Sequence, residues 1–174
     1  MSTPIGIGAN VKLLGTTLAA NPYLKGTIIK DVDHPIVLNI TGGTMPGVFH
    51  ERVIKETVAG TLDFYFWIET SKPLKTPSMS VVWQSYDRAF TADVEYRTDG
   101  EGLTGPVRAI RSGRAGTLIT FVFENVSIGS TLKQRTRETY IKTNAKAVTT
   151  GGITEIDATG NAFTSTSVNT FRPQ

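Results

Sequence analysis

The strongest structural signal in the chain is GTLDFYFWIET, residues 60–70. Its side chains alternate: Leu62, Phe64, Phe66 and Ile68 fall on one face, and Asp63, Tyr65, Trp67 and Glu69 on the other. Side chains on a β-strand point to opposite faces with a period of two. The run therefore reads as a strand with one apolar face and one polar-aromatic face. The pattern returns at 116–124, where Leu118, Thr120, Val122 and Glu124 oppose Ile119, Phe121 and Phe123. Two such apolar faces cover each other, so Phe64, Phe66, Phe121 and Phe123 are expected in one core.

Residues 24–32 and 35–40 read as two strands joined by a turn at Asp33-His34. Further β-like runs occupy 48–58, 78–85, 89–98, 107–111, 139–146, 153–156 and 162–171. Thr41-Gly42-Gly43-Thr44, Ala59-Gly60, Asp99-Gly100 and 129–134 read as turns, and Pro73, Pro77 and Gly151-Gly152 as breaks. No amphipathic helix of three turns and no repeat of fixed period stands out. Many short strands with frequent turns predict an all-β chain, a single antiparallel β-sandwich that is jelly-roll-like. Residues 1–20 read as a flexible N-terminal segment or an exchangeable strand, and 21–174 as the sandwich domain.

The composition agrees. The chain has 174 residues, 39% hydrophobic and 19% charged, which suits one folded domain with a real core. It has no cysteine, which excludes disulfides and thiolate metal sites. No apolar run approaches the ~18 residues of a membrane-spanning helix. The net charge of +3 is uneven: residues 1–102 carry 9 basic and 11 acidic side chains, and residues 103–174 carry 9 and 4. Arg108, Arg111 and Arg114 form one basic cluster, and Lys133, Arg135 and Arg137 another. No recognition helix or RNA-binding signature accompanies them, so they read as solvated loop and edge residues and no nucleic-acid partner is expected.

Catalytic chemistry is sparse. The two histidines are His34, in Asp31-Val32-Asp33-His34, and His50 beside Glu51. Asp31 and Asp33 share a face that His34 does not, which speaks against a metal cluster. No G-x-S-x-G elbow exists, and Ser80 and Ser85 have no evident base. Asp99 and Glu101 bracket Gly100 as in a fragment of a calcium loop, without the further oxygen ligands that calcium needs. Asp63 and Glu69 share a face but lie ~20 Å apart along a strand, too far for paired glycosidase carboxylates. Asp93 and Glu95 are closer and suit a polar outer face. No cofactor is expected, with calcium a weakly supported exception, and the chain is expected to catalyse nothing. Tyr65 and Trp67, flanked by Asp63 and Glu69, are the ligand or interface candidates. Their aromatic rings suit either a sugar platform, a subunit contact or burial under another layer.

Five segments in order resemble a known family: GTLDFYFWIET at 60–70, FTADVEYRTDG at 90–100, TLITFVFEN at 117–125, ETYIKTNAKAVTTGGITEID at 138–157 and NTFRP at 169–173. They resemble the exported β-rich domains of bacterial proteins with a short C-terminal Pro-Glu-Pro sorting signal, the PEP-CTERM proteins. That family has a GTLDFYYQV-like strand, a TDVGYRTDG-like strand and turn, a later I-x-TNA strand, and a TF-x-P end before its anchor. This chain continues as WIETSKP where the family has a shorter QVTN-like end. The resemblance spans roughly residues 25–173. It implies an all-β extracellular or cell-surface protein, presumed structural, made as an exported precursor, and it supplies no catalytic residues. The resulting expectation is a secreted structural protein acting through self-assembly or surface contacts, as a homo-oligomer or filament joined at strand edges. The alternative is a carbohydrate-binding module that holds polysaccharide on Tyr65 and Trp67.

Overall fold

The structure is a computed structural model that describes residues 2–85, 90–128, 135–159 and 165–174. Twelve strands form two antiparallel six-stranded sheets packed face to face, a β-sandwich. They are β1 (Thr3–Pro4), β2 (Asn10–Lys12), β3 (Gly26–Ile40), β4 (Gly43–Glu56), β5 (Leu62–Thr70), β6 (Leu74–Gln84), β7 (Ala92–Tyr96), β8 (Arg108–Ser112), β9 (Leu118–Ile128), β10 (Thr139–Thr143), β11 (Val148–Asp157) and β12 (Thr166–Pro173). The front sheet has the order β1-β7-β10-β5-β4-β3 and the back sheet β12-β11-β6-β9-β8-β2. The pairs β8·β9, β7·β10 and β6·β11 nest inside one another, the ribbon pattern of a jelly roll. The nesting ends there, because β12 pairs with β11 in the back sheet.

The period-two reading of β5 and β9 is realised. Phe64, Phe66, Phe121 and Phe123 are all buried, and Phe66 meets Phe121 edge-on across the sandwich at 5.3 Å. Phe49 stacks on Phe66 at 5.7 Å, and Phe64 packs against Trp83 at 5.3 Å.

Several parts depart from expectation: Pro77 lies inside β6 and Gly151-Gly152 inside β11, where the register shifts, and two larger departures concern β3 and the N-terminal segment. Asp33-His34 is no turn: β3 runs 15 residues through it, paired to β4 from end to end with an irregularity between Ile28 and Lys30. Pro35 is accommodated because β3 is the outermost strand of the front sheet, where a missing N–H on the open side removes no ladder bond. The N-terminal segment is no loose lead-in either. Strand β1 edges the front sheet beside β7, and β2 edges the back sheet beside β8. Ile5 and Leu13 are buried in the main core. The turn expected at 129–134 lies outside the described residues.

After β2 the chain crosses the outer face of the front sheet before entering β3. Thr16 bridges to Arg97, Leu18 N–H donates to Asp99 at 2.8 Å, and the 3-10 turn Pro22–Leu24 carries Leu24 onto Tyr65 and Tyr140. This strap turns an outer face into a second small core.

Candidate functional site

All four candidates from the sequence sit on the outer face of the front sheet, as the alternation of β5 requires. Three of them are covered. Asp63 is 0%, Tyr65 3% and Trp67 5% exposed; of the four, Glu69 alone is exposed. An open aromatic platform for a sugar ring is thus absent at Tyr65 and Trp67. The sequence places the face correctly and misses its cover: the strap residues Leu18, Asn21 and Leu24 over the Tyr65–Tyr140 pair follow no period, and the groups over Trp67, which are His50, Arg52 and Arg135, come from elsewhere in the chain.

The face is built in rows across neighbouring strands. In the central row Arg52, Tyr65, Tyr140 and Glu95 follow one another across β4, β5, β10 and β7. The rings of Tyr65 and Tyr140 lie 5.4 Å apart under Leu24, and burial pushes both phenols far above their ordinary range. The Tyr65 hydroxyl donates to Leu24 O, and the Asn21 amide lies 3.4 Å from the Tyr140 hydroxyl. Glu95 accepts from Gly15 N–H at 2.9 Å and holds the start of the strap.

The second row is Asp33, His50 and Trp67 on β3, β4 and β5. His50 Nδ1 lies 2.5 Å from Asp33 Oδ1, and the imidazole stacks on Trp67 at 4.8 Å. The guanidinium groups of Arg52 and Arg135 cover the same indole at 5.1 and 5.5 Å, an attraction between cation and ring face. Arg52 is also paired with Asp31 at 2.8 Å.

The third row is Asp63, Lys142 and Asp93 on β5, β10 and β7. Lys142 Nζ lies 3.1 Å from Glu56 Oε1, and Glu56 Oε2 accepts from the Thr61 hydroxyl at 3.1 Å. Both carboxyl oxygens of Asp63 lack a hydrogen-bond partner. Burial pushes the Asp63 carboxyl up to about 7, against the pull of Lys142. An open cleft of about 320 Å³ beside this row is lined by Glu56, Val58, Thr61, Thr91, Lys142 and Asn144.

Two proximities in the sequence are undone by the strand geometry. His50 and Glu51 point to opposite faces of β4, so they form no pair. Glu51 points inward, where it receives His34 Nε2 at 3.3 Å and the N–H of Phe171 at 2.8 Å. The basic cluster of Arg108, Arg111 and Arg114 is also dispersed. Arg108 faces Glu124 at 3.8 Å, and Arg114 is exposed. Arg111 is buried, donating to the carbonyls of Ile5, Phe90 and Gly116. Of the other cluster, Arg135 pairs with Glu101 at 3.0 Å and Arg137 donates to Thr98 O; Lys133 lies outside the described residues. Asp99 is held by Arg97 and Leu18 N–H, so the acidic pair Asp99 and Glu101 is committed to arginines and the strap. Among the described residues, no group of three or more histidines and carboxylates is arranged to hold a metal ion. No family model, curated protein or solved structure matches this chain.

Proposed function

We propose that this domain is a non-enzymatic structural module of the cell surface or extracellular space, working through surface contacts between copies. The observation that carries the reading is that four pairs of charged side chains on or beside the front sheet are committed to one another. Asp33 meets His50, Asp31 meets Arg52, Glu56 meets Lys142, and Glu138 meets Arg97 at 2.6 Å. Such pairs stiffen a face. The resemblance to exported β-rich domains supports the location.

The contact surface we favour is the first half of β3. Residues 26–31 are exposed, Ile28 and Ile29 among them, and an outermost strand offers unpaired backbone groups to another chain. Pro35 limits such pairing to the residues before it, which favours a small defined assembly over an open filament. Static light scattering across micromolar to millimolar protein tests the reading. Association that Ile29→Lys abolishes supports it. A monomer throughout overturns the assembly, and turnover of esterase, glycosidase or phosphatase substrates, lost with one Asp, Glu or Ser, overturns the non-enzymatic reading.

A further inference from the structure

We propose that Lys142 and Asp63 join as an amide cross-link between β10 and β5, with Glu56 as the proton acceptor. The register sets the two residues directly opposite each other on adjacent antiparallel strands, where Cβ atoms stand ~4.5–5.5 Å apart. Both side chains project from the outer face, so the four-carbon lysine stem spans that gap.

The surroundings of the carboxyl and of the proton acceptor suit the bond. The Asp63 carboxyl is 0% exposed and neither of its oxygens has a hydrogen-bond partner. A carboxyl so placed holds its proton more tightly than a solvated one, and in the protonated form its Cγ is an electrophile and its hydroxyl a leaving group. Burial indeed lifts it to about 7. Glu56 is 3% exposed, is steadied by the Thr61 hydroxyl, and touches Nζ at 3.1 Å. It is placed to take a proton from the ammonium, as nucleophilic attack by an amine requires. The ammonium presently engages Glu56, so the step begins with a rotation of the lysine stem toward Asp63.

The atoms balance without an outside reagent. One ammonium proton passes to Glu56, and the free amine attacks Asp63 Cγ. The Cγ–Nζ bond forms while the Cγ–OH bond breaks. A second proton from nitrogen leaves with that hydroxyl as water, and Glu56 returns its proton to solvent. The product is a neutral secondary amide in place of a buried carboxyl. It ties the middle of the front sheet together, bonding β5 to β10.

Intact mass spectrometry of the full chain tests this. The expected result is a deficit of about 18 Da, one water, with a branched peptide joining the Lys142 and Asp63 segments after proteolysis. Lys142→Arg and Asp63→Ala restore the full mass, and Arg keeps the ion pair with Glu56 so the fold is not at stake. Glu56→Gln slows the loss roughly a hundredfold. Full mass in the wild-type protein after prolonged incubation between pH 6 and 9 overturns the proposal. So does a deficit that persists in Asp63→Ala, or one that maps to a succinimide at Asp99-Gly100. Cross-linking at the wild-type rate in Glu56→Gln overturns the role of Glu56.

Discussion

The side chain of Glu51, on the inner face of β4, accepts the backbone N–H of Phe171 on β12 at 2.8 Å. A carboxyl group from the front sheet thus closes the outermost strand of the back sheet. The same seam is held by the Thr166 hydroxyl on Val37 O and by Lys30 over the Phe171 ring at 5.5 Å. Burial pushes Glu51 up to about 8, so it is neutral over most of the physiological range. A carboxyl raised in the folded state adds stability that is full below its unfolded value near 4.5 and is lost as pH rises toward 8. Asp63, raised to about 7, acts in the same direction.

The melting temperature is therefore expected to fall between pH 5 and pH 8. Glu51→Gln, which keeps an oxygen acceptor for Phe171 and cannot ionise, flattens that slope. Each unit of pKa shift corresponds to about 1.4 kcal/mol, enough to read in a thermal scan. A melting temperature that rises over this interval, or a slope unchanged in Glu51→Gln, contradicts the assignment.

On an open outer face Tyr65 would contribute less to stability than Phe66 on the inner one. The strap makes the two comparable. Phe66→Ala is expected to cost about 3–5 kcal/mol, and Tyr65→Ala to fall in the same range because Tyr65 is 3% exposed against Leu24 and Tyr140. Tyr65→Phe keeps the packing and loses only a long bond to Leu24 O at 3.5 Å, for about 1 kcal/mol or less. Urea denaturation midpoints of the three variants check the order.

These residues show where sequence is legible and where it is not. Alternation in β5 and β9 sets each side chain's face, because the pleat enforces it, and the four core phenylalanines follow. What covers a face is a tertiary matter: nothing in 60–70 reports that residues 13–25 lie over it. The misread turn at Asp33-His34 has a similar origin. Asp, His and Pro are turn residues in isolation, and here Asp33 is fixed by His50 while Pro35 sits on an outermost strand. Pro77, read as a break, lies within β6 opposite Asn125, whose φ of 49° marks a local irregularity in β9. The charged residues were legible as types only; that Glu51 turns in and His50 out follows from the pleat once β4 is known.

The strap is expected to depend on Gly15. Its φ of +79° is one that other residues rarely adopt, and an added Cβ would overlap the Thr98 methyl and the Tyr96 ring. Gly15→Ala is expected to destabilise the protein by about 1–3 kcal/mol. Because Gly15 N–H is also held by Glu95, tyrosine fluorescence should report looser cover over Tyr65 and Tyr140. Full stability in Gly15→Ala would mean that the strap crosses by another path.

Arg111 ties three separated segments. Its guanidinium donates to Ile5 O in the N-terminal segment, to Phe90 O ahead of β7 and to Gly116 O ahead of β9, and it lies 4.7 Å from the Phe90 ring. Arg111→Ala leaves three carbonyls of buried residues without this donor, each worth about 1–3 kcal/mol. Arg111→Lys is expected to rescue little, because one ammonium does not reproduce the planar fork. Chemical denaturation separates the outcomes: near-wild-type stability in Arg111→Lys would show that charge rather than geometry holds the clamp.

The N-terminal segment follows from the same clamp. Ile5 is 2% and Leu13 4% exposed, and Ile5 N–H donates to Ala92 O at 2.9 Å while Leu13 N–H donates to Val107 O at 2.9 Å. Strands β1 and β2 therefore finish both sheets on one side of the sandwich. An exchangeable strand could still be supplied by a second copy, because an identical segment makes identical bonds. Deleting residues 2–12 distinguishes the cases. The deletion removes Ile5, bares the edges of β7 and β8, and leaves Arg111 without one of its carbonyls, so a strongly destabilised protein is expected. Adding the excised segment as a synthetic peptide should restore stability in proportion to its concentration. A deletion variant as stable as the full chain, unaffected by the peptide, would show that this edge of the sandwich closes without the first twelve residues.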